Sequence, residues 1–90
     1  MSETLEIPIG GINGAGKFAM VNVGDFVWLS RYSLHLNKNG YSVTKINGRH
    51  KLMHRMVAEV TDPYMFVDHI DNDRLNNART NLRKYTPKEN

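Results

Sequence analysis

The sequence turns on Val67-Asp68-His69-Ile70-Asp71-Asn72-Asp73-Arg74-Leu75-Asn76-Asn77-Ala78-Arg79-Thr80-Asn81-Leu82-Arg83. Phe66 and Val67, apolar and β-favouring, run into an Asp-His pair. A polar, Asn-rich stretch follows, too poor in apolar residues to build a core. A second short stretch, Leu82 to Tyr85, closes it. The pattern predicts strand, long polar loop, strand. Loops pinned between strands are where chemistry tends to sit.

This stretch resembles the ββα-metal finger of the HNH endonucleases, in particular the small phage and intron-borne members. The resemblance covers roughly residues 53–90, and Asn81-Leu82-Arg83 after Asp68-His69-Ile70-Asp71 carries most of it. It implies Asp68 as first metal ligand, His69 as general base and Asn81 as the Asn that braces the loop. Asn90 falls where the second metal ligand is expected. It further implies a divalent ion, Mg2+ or Mn2+, and double-stranded DNA as substrate, cut to a 5′-phosphate and a 3′-hydroxyl. A single-metal finger cuts one strand per site, so a double-strand break would need a homodimer or two visits. His54-Arg55 resembles the His-Arg pair that precedes the finger in this subgroup. Arg55 is expected at a phosphate, and His54 as a structural, hydrogen-bonded histidine.

The residue types suit that chemistry. Phosphodiester hydrolysis needs an activated water, charge stabilisation on the phosphate and help for the leaving 3′ oxygen. One hard divalent ion supplies the last two. Such ions take carboxylate or amide oxygens and keep several waters. An imidazole, with an ordinary pKa of about 6.5, accepts a proton near neutral pH. Successive strand residues point to opposite faces, so Asp68 and His69 are expected to converge only if the strand ends or bends between them. Asn81 is expected to hold that bend by bonding backbone. Asp71-Asn72-Asp73 reads as an Asx-rich turn. A helix-loop-helix calcium site would need Gly and Glu where Asn76 and Leu82 stand.

Ninety residues make one small domain with a modest core. There is no cysteine, hence no disulfide framework and no Cys-based zinc knuckle. No apolar run approaches the roughly 20 residues of a membrane span. The opening Met-Ser-Glu-Thr-Leu-Glu lacks the features of a signal peptide, and a cytoplasmic protein is expected. The net charge of +3 is uneven. Residues 1–37 carry two basic and three acidic groups, for −1; residues 38–90 carry ten and six, for +4. A basic half around an acidic loop suits a polyanion with a cation at its centre. Lys45, Arg49, Lys51, Arg55, Arg74, Arg79, Arg83, Lys84 and Lys88 are the candidate DNA contacts.

The rest of the chain is legible in pieces. Leu5–Ile9 reads as an edge strand, since Pro8 argues against a central one. Gly11 to Lys17 has the spacing of a phosphate-binding loop, but Phe18 replaces the Ser or Thr that would hold magnesium. The residues after it, Lys17 to Val23, look like a strand rather than a helix, so a flexible turn and no nucleotide cofactor are expected. Asp25 reads as the cap of a helix from Phe26 to about Tyr32, with Gly24 breaking the strand before it. Phe26 and Leu29 share its apolar face, and Trp28 is core or a stacking group. Asn39-Gly40 and Asn47-Gly48 are hairpin signals, the second flanked by Tyr41–Ile46 and Arg49–Met53. His54 to Val60 reads as a helix with Met53, Met56, Val57 and Val60 on one side, stopped by Asp62-Pro63 and packed under the finger. Thr86-Pro87-Lys88-Glu89 reads as a helix start, so the finger's last helix would be nearly absent and Asn90 would fray.

The expectation is an α+β fold: a small antiparallel β-meander with short helices over residues 1–52, then a finger over residues 53–90, in one compact domain. The function expected is metal-dependent DNA cleavage or nicking. The alternatives are a catalytically silent DNA-binding module on the same frame, or a small interaction domain.

Overall fold

In the computed structural model, which describes residues 3–88, the strongest local signal yields the tightest turn. Asn47 and Gly48 both take positive φ, 51° and 80°, as a two-residue hairpin turn requires. They join β4 (Ser42–Ile46) to β5 (Arg49–Leu52), with Ile46 opposite Arg49 and Val43 opposite Leu52. Asn39-Gly40 lies in a wider turn. There Asn37 Oδ1 accepts from the backbone N–H groups of Asn39 and Tyr41, and β3 (His35–Leu36) pairs with the start of β4.

The meander is therefore β3-β4-β5, and two separate hairpins flank it. β1 (Thr4–Pro8) pairs only with β2 (Phe18–Asn22), which leaves Pro8 at an edge. The glycine-rich stretch is the connection between them and leads into a strand. Gly14 is required there: a Cβ would collide with the Gly10 carbonyl and the Ile9 side chain. β6 (Phe66–His69) and β7 (Leu82–Tyr85) form the third sheet, at the bounds the sequence suggests.

Both helices differ from expectation. α1 spans Val23–Leu29, so Gly24 lies inside it and Asp25 is in its first turn, not at its cap. Asn22 precedes α1, and its side chain makes no capping bond. Instead Asn22 Oδ1 accepts from the backbone N–H of Arg79. α2 spans only Met53–Val57, about a turn shorter than the apolar stripe suggests. It ends before Asp62-Pro63 is reached. Glu59 adopts φ 59°, Glu59 N–H donates to Met56 O and Val60 N–H to Arg55 O. That paired pattern is a Schellman ending, which closes the helix by its own backbone geometry.

Ile7, Ile9, Ala19, Val21, Leu29, Leu34, Met53 and Val57 make the core. Alternation on β1 and β2 sends Ile7, Ala19 and Val21 inward. Phe26, Trp28, Tyr32 and Leu82 pack on its margin. Trp28 thus joins the core edge, its indole N–H satisfied by Asp25 Oδ1 at 2.9 Å. The long loop after β6 is tied to β2 by a parallel bridge between Met20 and Asn76. Met20 N–H donates to Leu75 O, and Asn77 N–H to Met20 O, both at 2.7 Å. The segment that holds the candidate site is thereby fastened to the core.

Candidate active site

Asp68 and His69 both stay in the β6–β7 ladder, opposite Arg83 and Leu82. The strand does not break between them, contrary to expectation. It ends directly after His69, where Asn72 N–H donates to His69 O at 3.0 Å and Asn72 takes φ 64°. Asp68, on the accessible face, and His69, 6 % exposed, nevertheless line one cleft. Tyr41, Asn72 and Arg74 complete a pocket of about 340 Å³.

The imidazole of His69 is held on several sides. Its Nε2 lies 2.7 Å from Asn77 Oδ1. The His54 ring is tilted against it, with centroids 4.8 Å apart, and the Tyr41 ring stacks at 6.0 Å. Tyr41 also stacks on His54 at 5.1 Å, so the residue just before β4 and a residue of α2 both brace the ring. His54 is buried. Burial first, then the neighbouring His69 and Arg55, lower its pKa to about 4, against a backbone hydrogen bond with Val67. It is a neutral packing group at neutral pH.

Asn81 sits across the loop. Its Oδ1 accepts from Asp71 N–H at 3.1 Å, and its Nδ2 donates to Asp71 Oδ1 and Asn76 O. Asp71 also accepts from Asn76 and from the backbone N–H of Asp73. The Asn76 hydrogen bond, then those of Asp73 and Asn81, hold its carboxyl below the usual range. These bonds knit the Asx turn, and Asn81 O accepts from Ile70 N–H at 2.8 Å beside His69.

The candidate DNA contacts divide into two groups. Lys45, Arg49 and Lys51 are exposed on the β4–β5 hairpin, and Lys84 and Lys88 on β7 and beyond. Arg74 rims the cleft over the Tyr41 ring, 4.9 Å from its centroid, and donates to Asn39 O. Arg55, Arg79 and Arg83 are likewise engaged within the protein. Arg55 donates to the carbonyls of Met65 and Asp62, both at 2.7 Å. Arg79 chelates Asp25 through Nε and Nη2, each at 2.8 Å, and approaches Glu59 at 3.4 Å. Arg83 pairs with Asp68. Glu89 and Asn90 lie outside the described residues; of the helix start expected at Thr86 to Glu89, Pro87 and Lys88 form a turn. Sequence reasoning missed Tyr41 and Asn77; their proximity to His69 depends on how the loop and β4 fold, which no local pattern reports.

Among the described residues no three His, Cys, Asp or Glu side chains cluster as a metal cage. One carboxylate at an open cleft, beside the amide of Asn72, is an oxygen donor set of the kind a hard divalent ion accepts while keeping its waters. Such an ion and Arg83 would compete for Asp68.

Residues 51–90 match the HNH endonuclease family, the segment that holds β6, the braced loop and β7. That segment belongs to the HNH endonuclease family. The chain is 37% identical over 81 residues to an uncharacterized HNH endonuclease of Acanthamoeba polyphaga mimivirus, an alignment covering 86% of this chain and 43% of that protein. It is 44% identical over 55 residues to a Bacillus subtilis (strain 168) protein whose name describes a prophage-derived HNH homing endonuclease, covering 57% and 32%. The chain thus spans less than half the length of these relatives. No solved structure matches it.

Proposed function

We propose that this chain hydrolyses phosphodiester bonds in double-stranded DNA, as an endonuclease or nickase. The observation that supports this best is the shared cleft: a carboxylate and a braced imidazole open on the same space. Residues 53–90 act as the finger, and residues 1–52 as the region that presents the β4–β5 hairpin to DNA. His69 takes the proton from the attacking water, and its rigid ring keeps that acceptor oriented. Asn81 holds the turn that ends β6 and so fixes where Asp68 and His69 emerge. Asp68, with Asn90 on the resemblance alone, would hold Mg2+ or Mn2+; a bound ion of this kind neutralises phosphate charge and assists the leaving oxygen as a Lewis acid. Lys45, Arg49 and Lys51 contact backbone phosphates on one side, Lys84 and Lys88 on another, and Arg74 at the cleft. Arg83 turns to phosphate when Asp68 takes a cation.

Plasmid nicking tests the reading. The wild type is expected to convert supercoiled to relaxed DNA with Mg2+ or Mn2+, and His69→Ala or EDTA is expected to abolish it. Cleavage independent of metal and of His69 overturns the assignment. A second reading, DNA binding without cleavage, is favoured by the pairing of Asp68 with Arg83. In that case a gel shift persists in EDTA, with a steep salt dependence, while no nicking appears under any metal.

A further inference from the structure

We infer that Asn77 is a positioning residue for His69: its amide oxygen holds the imidazole as the Nε2–H tautomer and leaves Nδ1 to face the cleft. The consequence for catalysis rests on the nuclease reading above; the tautomer itself does not.

Three buried side chains, Met53, Asn77 and His69, lie in contact. Asn77 is 1 % exposed and Met53 fully buried. The Asn77 backbone is fixed first, its N–H donating to Met20 O at 2.7 Å. Its side chain then reaches two neighbours of opposite kinds. Nδ2 lies 3.1 Å from Met53 Sδ, and Oδ1 lies 2.7 Å from His69 Nε2. A thioether has no proton to give and can only accept. The amide nitrogen therefore belongs on the sulfur side, and the reversed amide would set oxygen against sulfur lone pairs. With the amide oriented so, its oxygen can only accept, and the proton in the 2.7 Å contact sits on His69 Nε2. A neutral imidazole has one donor and one acceptor nitrogen, so Nδ1 keeps the lone pair.

The rest of the pocket suits that arrangement. Among the described residues Ser42 Oγ is the buried side-chain polar atom without a partner; Nδ1 is not stranded in this way, and the ring lines the cleft with Asp68. Tyr41 and His54 pack on the ring and hinder its turning over. A side-chain amide on the far edge of a base holds its tautomer as a carboxylate or carbonyl does behind a catalytic or metal-bound histidine. Loss of such a partner costs roughly 10–100-fold in activity.

The test begins without DNA or metal. In the ¹⁵N-labelled chain at about pH 9, well above an ordinary imidazole pKa of about 6.5, long-range proton–nitrogen correlations report the tautomer of His69. Nε2 is expected to be pyrrole-like and Nδ1 pyridine-like. Protonation at Nδ1, or an even mixture, overturns the inference. Asn77→Asp retains an acceptor and is expected to keep the tautomer. Asn77→Leu removes it at similar volume, and is expected to shift the populations and lower kcat roughly 10–100-fold with KM unchanged. A wild-type tautomer and kcat in Asn77→Leu would also overturn it. If Asn77→Leu does not fold, the wild-type and Asn77→Asp spectra decide. Failure of the nuclease reading looks different: the Nε2–H tautomer is found, and no metal-dependent nicking accompanies it.

Discussion

Arg83 and Asp68 face each other across the β6–β7 ladder, with guanidinium nitrogens 2.8 and 3.2 Å from the two carboxylate oxygens. The pair is register-matched, which is the geometry in which cross-strand charges meet. It also places a cation on the carboxylate proposed to bind one. Arg83→Ala is therefore expected to tighten Mn2+ binding several-fold by calorimetry, and Asp68→Asn to abolish it. Equal Mn2+ affinity in Arg83→Ala and wild type would remove Asp68 from the metal site. Because both side chains are substantially exposed, at 62% and 37%, little change in stability is expected from Arg83→Ala.

Arg79 makes a different kind of pair. Asp25 is 3 % exposed, and Arg79 holds it from 54 residues away, with Trp28 as the other donor. The Arg79 hydrogen bonds, offset by burial and aided by Trp28, keep the Asp25 carboxyl below its usual range. Arg79→Met would strand that carboxylate. The expected loss is about 1–3 kcal/mol in urea unfolding, less than the roughly 3–5 kcal/mol of a fully buried pair because Arg79 is half exposed. DNA affinity should change little. A large loss of affinity at unchanged stability would make Arg79 a phosphate contact instead.

These two arginines show where the sequence is legible and where it is not. β6, β7 and the Asn47-Gly48 turn are local: alternating residues and a dipeptide suited to positive φ suffice to place them. Asp25 looked like a cap because Asp before an apolar run usually is one. Its carboxylate is drawn inward by Arg79, a partner that only the tertiary fold supplies, and α1 starts three residues before the predicted Phe26. Likewise Asp68, His69 and Asn81 stand out as residue types in a pattern. Asn77, in a run of similar asparagines, is distinguished only by Met53 and His69 closing on it.

Glu59 marks the end of α2, which the sequence put too late. It occupies the left-handed position of a Schellman motif, where glycine is the usual residue. Its contact with Arg79, at 3.4 Å between exposed groups, adds little. Glu59→Gly is expected to raise stability by about 0.5–1 kcal/mol, because the Cβ strain of that conformation is removed. Thermal or urea unfolding followed by Trp28 fluorescence checks this. A loss of stability would mean that the Arg79 contact outweighs the backbone term.

His54 sets the response to acid. Its pKa is lowered from 6.5 to about 4 by burial, His69 and Arg55, in that order, so the unfolded chain binds its proton more readily than the folded one. Stability from this group is full above the unfolded value of 6.5 and declines as pH falls toward 4. At about 1.4 kcal/mol per pH unit the loss approaches 2 kcal/mol by about pH 5 and on the order of 3 kcal/mol below about pH 4. The folded protein is then expected to unfold more easily in urea at pH 5 than at pH 7, with the same direction as the depressed carboxyl of Asp25 contributes at lower pH. His54→Gln removes the titrating group while keeping a polar side chain. It is expected to flatten the stability profile between about pH 7 and 5, even if it lowers stability at neutral pH. An unchanged slope in His54→Gln would show that His54 takes up its proton as readily in the fold as in the unfolded chain, so that the Tyr41–His54–His69 stack becomes charged by about pH 5.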